Sequence, residues 1–463
     1  MKPSVTFPLG NIALIDKADS QTSFFKTVFS NIGGKARDFI PAIKLLMVNK
    51  LGRSASIHKL LDFAPPDMLS LLGFEDQTSD RTLNRTLERL GERSPLILEK
   101  YQAWLKSNNL IDKIQNMDFS SSYFQGNDCP MAELGYSRDH RPGRPQITYG
   151  ISIGANRMPT ALTIQKGNVN DKTHMTRMIK LGSRLLEPES LLVFDCGGNT
   201  RENKEKIRQK NLHYLTLKAK KKKPYRAALT HFRGGKPLKI IYGEQEYFWV
   251  GNKEGDEYQH IFFSEKLMQD QLGKKKRRFE KSLAKGDKLM KKVVKGKELD
   301  RQVCKVGWIV SKGELQETLG APANPLISGL EGFFILETSL DIDPMEILRL
   351  YKDRDKVEKF IRDIKEGAEM RPIRHWSRNA VIGYVLLIFL TNALSNLTQI
   401  LSENHAVRNL KCLKKYLNNL TLCMIYPKEG FRMSVIANNS DEMRALFGDF
   451  LLRYGAFEPQ IWR

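Results

Sequence analysis

Residues 351–365, YKDRDKVEKFIRDIK, have the pattern of one amphipathic helix and constrain the fold more than any other stretch. At 100° per residue, four polar side chains fall within an arc of roughly 60°: Tyr351, Arg354, Glu358 and Lys365. The neighbouring arc carries an apolar stripe, Leu350, Val357, Phe360, Ile361 and Ile364, which predicts burial against a core. A rigidly held carboxylate between cations suits a site where metal ions and phosphates meet. The alternative is an ordinary solvated face.

The charge of the chain indicates a polyanionic partner. Lysine and arginine number 75 of the 463 residues and aspartate and glutamate 52, which gives a formal net charge of +23. An excess of this size favours nucleic acid, with an anionic membrane surface as the second candidate.

Two further features predict the compartment. The longest apolar run, residues 381–390, is about half the ~20 residues that a membrane-spanning helix needs, so we expect a buried core helix. The chain starts without an apolar signal region, and its five cysteines form no CxxC pair. We therefore expect a cytoplasmic protein, associated with the nucleoid through DNA, that has no membrane contact, disulfide framework or structural zinc.

The first part of the chain predicts helices, because residues 24–32, 36–51, 56–63, 66–72 and 79–90 show apolar side chains at spacings of three and four. The last of these is capped by Ser79 and carries Arg81, Asn84 and Arg85 on one side. It fits a helix-turn-helix unit that places Arg81 and Arg85 against DNA. A generic helical bundle predicts nearly the same pattern.

The middle of the chain predicts an α/β sheet. The order is strand (114–119), strand (146–153), strand (160–165), helix (172–186), strand (191–195), helix (201–210) and strand (213–217). Asp118 and Asp195 lie at or near the ends of two of these strands, and acids at adjacent strand ends can converge on one point. The alternatives are a strand-end cap for Asp118, a turn-former for Asp195 and an ion-pair partner of Arg354 or Arg362 for Glu358.

A long interruption, residues 218–343, separates these strands from the helix that carries Glu358. It contains β-like pieces at 239–242, 247–250, 260–263, 306–310 and 332–338, and a very basic helical piece at 274–297. Clustered lysines and arginines predict contacts with DNA phosphates, for which we select Lys221, Lys222, Lys275 and Arg277. The alternative is a solvated surface helix. Trp249 is a candidate for stacking on an unpaired base, or a core residue of its strand.

Several linked motifs resemble those of insertion-sequence DDE transposases. The spacing of Tyr351, Arg354, Glu358 and Lys365 matches that family's Tyr-Arg-Glu-Lys signature in full. Four further motifs stand earlier in the chain, in the order that the family has: Asp118 in MDFSSSYF, the stretch at 135–151, Gly167-Asn168 with Asp171, and Asp195 in VFDCGG. The resemblance runs over about residues 118–394.

The resemblance implies an RNase H-like mixed sheet with a mostly β insertion between the second and third acids. Asp118, Asp195 and Glu358 would hold two Mg²⁺ ions, or Mn²⁺, for in-line phosphoryl transfer. Arg354 and Lys365 would orient phosphates, and Tyr351 would position the strand. The expected substrates are the double-stranded terminal inverted repeats and a target DNA, and the expected form is a homodimer on paired ends.

We therefore predict five regions: a helical N-terminal DNA-binding domain (1–112), a catalytic domain in two parts (113–217 and 344–400), the basic β-rich insertion (218–343) and a helical C-terminal region (401–463). Two other functions remain open, a metal-dependent RNase H-like nuclease and an inactive DNA-binding relative. A nuclease would cut without recognising inverted repeats, whereas an inactive relative would bind without cutting.

Overall fold

The computed structural model describes residues 4–34, 36–126, 128–294, 329–402, 409–426 and 432–457, without the side chains of 222–224, 279, 282–294, 456 and 457. The predicted strand at 306–310 and the end of the predicted basic helix, 295–297, lie outside the described residues.

The described strands are β1 (Val5–Pro8), β2 (Ile114–Tyr123), β3 (Gln146–Gly154), β4 (Pro159–Lys166), β5 (Leu191–Phe194), β6 (His213–Leu217), β7 (Leu238–Tyr242), β8 (Gln245–Glu254), β9 (Glu257–Phe263), β10 (Phe333–Thr338), β11 (Thr421–Ile425), β12 (Met433–Ala437) and β13 (Ala456–Phe457). The described α-helices are α1 (Gly10–Thr22), α2 (Phe24–Val28), α3 (Phe39–Leu51), α4 (Ile57–Leu60), α5 (Pro66–Leu71), α6 (Asp80–Glu92), α7 (Ser94–Ser107), α8 (Asp171–Leu185), α9 (Arg201–Arg208), α10 (Lys222–Gly234), α11 (Glu265–Val294), α12 (Pro344–Lys352), α13 (Asp355–Arg362), α14 (Arg378–Leu401), α15 (Leu410–Asn419) and α16 (Asp441–Phe447).

The chain divides into two compact units. The first comprises Met1–Tyr214 and Lys352–Arg463, and the second comprises Leu215–Tyr351. The limits of the second unit fall within ten residues of the predicted insertion, 218–343. The N-terminal helices belong to the first unit together with the strands β2 to β5, so the predicted N-terminal DNA-binding domain is not a separate unit and its function stays a prediction.

The main sheet of the first unit has β2 near its middle. Strand β2 pairs antiparallel with β3 and parallel with β5, and β3 pairs antiparallel with β4. Strand β6 begins beside β5, where the His213 amide donates to the Ser190 carbonyl at 2.9 Å. This is the predicted order of strands and helices, and it confirms the mixed α/β class with an RNase H-like strand arrangement.

Helices cover both faces of this sheet. On one face α8 packs over a core that includes Met117, Phe119, Leu192 and Phe194. On the other face α13 and α14 join the N-terminal helices in a continuous apolar core. Of the described residues, α14 alone has the length and composition of a membrane-spanning helix, and 89% of its most apolar window is buried inside the protein. The predicted core helix is therefore confirmed.

Helices α6 and α14 approach each other at two glycines. A Cβ at Gly91 would lie 1.8 Å from the Asn379 carbonyl oxygen, and a Cβ at Gly383 would lie 2.0 Å from the Leu87 carbonyl oxygen. Both contacts involve backbone, which cannot rotate away as a side chain can. This close contact buries one face of α6, through Leu83, Leu87 and Leu90, and leaves Arg81 and Arg85 exposed on the other.

The two ends of the chain meet in a second, small sheet of the first unit. Its order is β1-β11-β12-β13, and Phe7 of β1 lies opposite Leu422 of β11. The prediction of a wholly helical C-terminal region is incomplete, because β11 to β13 lie among its helices. Strands of five residues or fewer have little periodicity of their own, and β11 depends on a partner from the other end of the chain.

The second unit contains an antiparallel sheet with the order β6-β10-β9-β8-β7, of which β6 contributes Leu215–Leu217. Helix α10 packs Tyr225, Leu229 and Phe232 into its core. The β pieces predicted at 239–242, 247–250, 260–263 and 332–338 are all strands here. The basic helix begins earlier than predicted, at Glu265.

Replacement of Gly91 by alanine should lower the free energy of unfolding by about 2–3 kcal/mol, because the new methyl group collides with the Asn379 backbone. Urea unfolding followed by circular dichroism measures the change. The matched control is Gly182→Ala in α8, where the Cβ would stand 3.6 Å from the Met117 Cε, an ordinary contact. Equal stability of the two variants would contradict the proposed backbone contact.

Candidate active site

Strand register brings the first two acids side by side. The parallel pairing of β2 with β5 ends at Met117 opposite Phe194, so the next residues are Asp118 and Asp195. Side chains alternate along a strand, and Met117 and Phe119 both point into the α8 core. Asp118 therefore points to the other face, where its cross-strand neighbour is Ile151.

Helix α13 brings the third acid to that face. Val357, Phe360 and Ile361 are buried in the core shared with α14, and this anchors the helix. Glu358, on the adjoining side, keeps 43% of its side chain exposed.

Arg354 connects two of the acids. Its Nη2 donates to Glu358 Oε1 at 2.5 Å, and its Nη1 lies 3.7 Å from Asp118 Oδ1. The guanidinium is 13% exposed, so its charge acts in a poorly solvated place. Glu358 thus has the ion-pair partner that the sequence offered as an alternative to catalysis, and that partner also neutralises Asp118.

The acids influence one another electrostatically. The pKa of Asp118 is raised to about 6, mainly by burial; the Arg354 guanidinium and the Phe119 amide lower it, and the carboxylates of Glu358 and Asp195 add smaller increases. Carboxyl groups with a perturbed pKa are found preferentially at functional sites. Across the described part of the chain, however, no three His, Cys, Asp or Glu side chains already stand close enough to hold a metal ion.

The prediction of one continuous helix over 351–365 is wrong. Helix α12 ends at Lys352, a turn follows, α13 starts at Asp355, and a π-helical turn occupies Asp363–Gly367. The four polar residues therefore do not share one face. Tyr351 is the last residue of the second unit and is partly exposed.

Lys365 lies in the π-helical turn and is 8% exposed. Its Nζ donates to Asp139 Oδ1 at 2.7 Å, and Arg371 contacts the same oxygen at 2.6 Å. Asp139 is itself 1% exposed and accepts from the Tyr123 amide at the end of β2. Lys365 thus ties the segment after Glu358 to the strand that carries Asp118. A phosphate contact would require this pair to separate.

The loop after Asp195 is held by residues that the sequence analysis did not select. The Cys196 amide donates to Asp195 Oδ1 at 2.7 Å. Arg138 Nη2 contacts both carboxylate oxygens of Asp171 at 2.5 Å, and that carboxylate lies directly against Gly197. The only sequence signal for this pair is that both residues belong to linked motifs, one in 135–151 and one in the Gly167 piece.

The remaining candidates in the first unit are Arg81 and Arg85, both exposed on α6. Those of the second unit differ among themselves. Lys221 and Arg277 are exposed, the Lys222 side chain lies outside the described residues, and Lys275 contacts the buried Glu331. Trp249 is half-buried, and its Nε1 donates to His260 Nδ1 at 3.1 Å.

Asp118→Asn should stabilise the metal-free protein. At pH 8 Asp118 is ionised in both folded and unfolded chains, and its raised pKa of about 6 means that the fold disfavours the charge. Asparagine removes that penalty, which we expect to raise the free energy of unfolding by about 2 kcal/mol. The gain should shrink as the pH falls from about 6 to 4, where the parent carboxyl becomes protonated in the fold.

Urea unfolding in EDTA at pH 8 and pH 4.5 measures this difference. The exposed Asp441→Asn is the matched control, and it should change stability by no more than about 0.5 kcal/mol. A loss of stability in Asp118→Asn at pH 8 would show that the carboxylate is not under strain.

Gly197→Ala should destabilise the fold by about 1–2 kcal/mol, because a Cβ there would lie 2.4 Å from Asp171 Oδ2. The same change made in an Asp171→Ala background should cost much less, since the obstructing carboxylate is gone. Unfolding of the four members of this cycle measures the coupling. Equal costs in both backgrounds would exclude Asp171 as the cause.

Comparisons with known proteins address the family. Among solved structures, the cryo-EM structure of a piggyBac transposase synaptic complex with hairpin DNA is similar to this chain, with 12% sequence identity and a TM-score of 0.44. The match covers 89% of this chain and 79% of that chain. Curated proteins give no match. A family model described as the transposase DDE domain matches residues 134–392, more than half of the chain, with Asp195 and Glu358 inside the match. The chain therefore belongs to the DDE transposase family.

Proposed function

We propose that this chain is the transposase of an insertion sequence. It binds the terminal inverted repeats of its element, cuts DNA at their ends and joins the 3′ ends to a target. Membership of the DDE transposase family supports the reaction class, and a net charge of +23 supports a DNA substrate.

The observation that carries the proposal is the geometry of the acids, with Asp118 beside Asp195 and with the Arg354 guanidinium contacting both Asp118 and Glu358. Two of these acids lie at adjacent strand positions, and the third approaches from a helix on the same face of the sheet. At an ordinary solvated carboxylate, water and salt would screen the charges of the two other acids.

The donor set fits a divalent metal. Carboxylate oxygens are the ligands that Mg²⁺ and Mn²⁺ prefer, and the Arg354 guanidinium already supplies positive charge between Asp118 and Glu358. Asp118, Asp195 and Glu358 would hold two ions. When bound, such ions activate the attacking oxygen and stabilise the leaving oxygen of a phosphoryl displacement.

The protein's own residues bind and orient the DNA. Arg354 compensates the carboxylates in the metal-free chain, and its planar guanidinium can contact a phosphate through two hydrogen bonds once that charge is compensated otherwise. In the same proposal, Tyr351 positions the strand and Lys365 orients a phosphate. The further DNA contacts are Arg81, Arg85, Lys221, Lys222, Lys275, Arg277 and Trp249.

The proposal includes an assembly. Insertion requires two element ends to be cut and joined together, so we infer a homodimer on paired ends. The chain would act in the cytoplasm, on nucleoid DNA.

Glu358→Ala should abolish cleavage. The substrate is a labelled duplex that carries the element's own end and flanking DNA, incubated with Mg²⁺ or Mn²⁺. We expect the rate to fall about a hundredfold or more, because one acid of the set is lost. Duplex binding, measured by mobility shift, should persist.

The chain offers a close control in Glu205→Ala. Arg201 and Glu205 form the same four-residue helical pair, with 2.9 Å between Arg201 Nε and Glu205 Oε1 and with Glu205 49% exposed. This variant should cut like the parent. Equal cutting by the parent and Glu358→Ala, or cutting indifferent to the end sequence, would favour a nonspecific nuclease. Binding by the parent without any cutting would favour an inactive DNA-binding relative.

A further inference from the structure

A cavity of about 450 Å³ lies in the first unit, apart from the three acids. Its walls come from α3, residues 54–58, α6, the first half of α14 and the segment that follows the π-helical turn. Its lining residues include Lys50, Asn84, Arg374, Trp376 and Tyr384. A cavity of this volume is in the range of small-ligand sites and is too small for a duplex.

A buried cation stands in its wall. Lys50 is 7% exposed, and its Nζ donates to the Tyr384 hydroxyl at 3.0 Å. The same Nζ lies 4.8 Å from the centre of the Tyr384 ring. Burial lowers the pKa of Lys50 to about 8, so the ammonium form persists at neutral pH at a cost. A protonated lysine donates three hydrogen bonds, which leaves capacity for an anionic ligand.

The charge around the cavity is positive. Its charged lining side chains are Lys50, Arg371 and Arg374 against Glu369. Lys414 contacts Glu369 at 3.3 Å and offsets its charge, while Arg371 is already paired with Asp139 and Glu366. Arg374 is exposed and donates to Gln125, a neutral group, so its guanidinium can also contact a ligand. A guanidinium of this kind attracts phosphate.

An exposed aromatic ring stands at the cavity. Trp376 is 58% exposed, although large aromatic side chains are usually buried. In nucleic-acid-binding proteins such rings provide surfaces on which single bases stack. Asn84, on the exposed face of α6 with Arg81 and Arg85, also lines the cavity.

The cavity is fixed to the strand of the first acid. The Ile373 amide donates to the Tyr123 carbonyl, and the Gln125 amide donates to the Ile373 carbonyl, both at 2.9 Å. Tyr123 ends β2, five residues after Asp118. At about 3.4 Å per residue the two lie roughly 17 Å apart, the length of about five base-pair steps.

We propose that this cavity receives one unpaired nucleotide of the bound DNA, with its phosphate at Lys50 and Arg374 and its base against Trp376. The inference rests on the proposed function, because the strand belongs to the DNA end that is cut. Its role is to hold the end in a locally opened form near the acids, which offsets part of the cost of unpairing.

The test compares two labelled duplexes of the element's end, one fully paired and one with three unpaired nucleotides within about six positions of the boundary. Binding is measured by fluorescence anisotropy in EDTA with the full chain. We expect the parent to bind the opened duplex about tenfold more tightly, because its base pairs are already broken and binding need not supply the free energy of unpairing. Trp376→Ala and Lys50→Met should reduce that ratio to near one and leave the affinity for paired DNA within about twofold.

Matched controls are Phe63→Ala, which truncates another exposed aromatic ring, and Lys411→Met, which removes an exposed lysine. Both should keep the tenfold ratio. Trp376→Phe should retain most of it. Circular dichroism melting confirms folding, and the exposure of Trp376 keeps that variant informative if Lys50→Met fails to fold.

The inference would be overturned if the parent bound the opened and paired duplexes equally, or if Trp376→Ala kept the parent's preference for the opened duplex. Cleavage of paired DNA by the parent would still support the proposed function in either case. Binding of free thymidine monophosphate as tight as binding of the opened strand would also overturn it, because the site would then serve free nucleotides. A parent that binds neither duplex would overturn the proposed function itself.

Discussion

The site depends on the placement of three carboxylates on one face of the main sheet, with the poorly solvated Arg354 guanidinium against two of them. Arg354 contacts Glu358 and Asp118, and the pKa of Asp118 is still raised to about 6. Carboxylates held this way repel one another, so the surrounding fold must stabilise the arrangement. The stabilisation comes from apolar anchoring of α13 and from the parallel pairing of β2 with β5.

One buried and one partly buried ion pair support that arrangement. Asp139 receives Lys365 and Arg371, which fixes the segment after Glu358 to the end of β2. The pair of Arg138 with Asp171 fixes the loop after Asp195 in the same way. Breaking such a pair leaves a poorly solvated charge uncompensated, so Asp139, Arg138 and Asp171 support the site through its geometry.

The strand order, the core helix α14 and the neighbouring positions of Asp118 and Asp195 could be predicted because each carries a local pattern or a motif. The single helix over 351–365 was predicted wrongly, since 3.6-residue periodicity does not report the turn before Asp355 or the π-helical turn. The Asp363 carboxylate in that turn accepts from the Leu410 amide, a contact between distant residues. The small sheet was missed for a related reason, because its strands are short and β11, on which β12 pairs, depends on β1 from the other end of the chain.

By itself, the sequence determined the class of fold and the order of the elements, and it predicted the three acids, because apolar periodicity and motif spacing are local properties. Tertiary structure alone decided that Lys365 is buried against Asp139, that Arg354 lies between two acids, and that Lys50 and Trp376 share a cavity. These facts depend on which side chains become neighbours after distant segments pack, and burial then sets their charge and exposure.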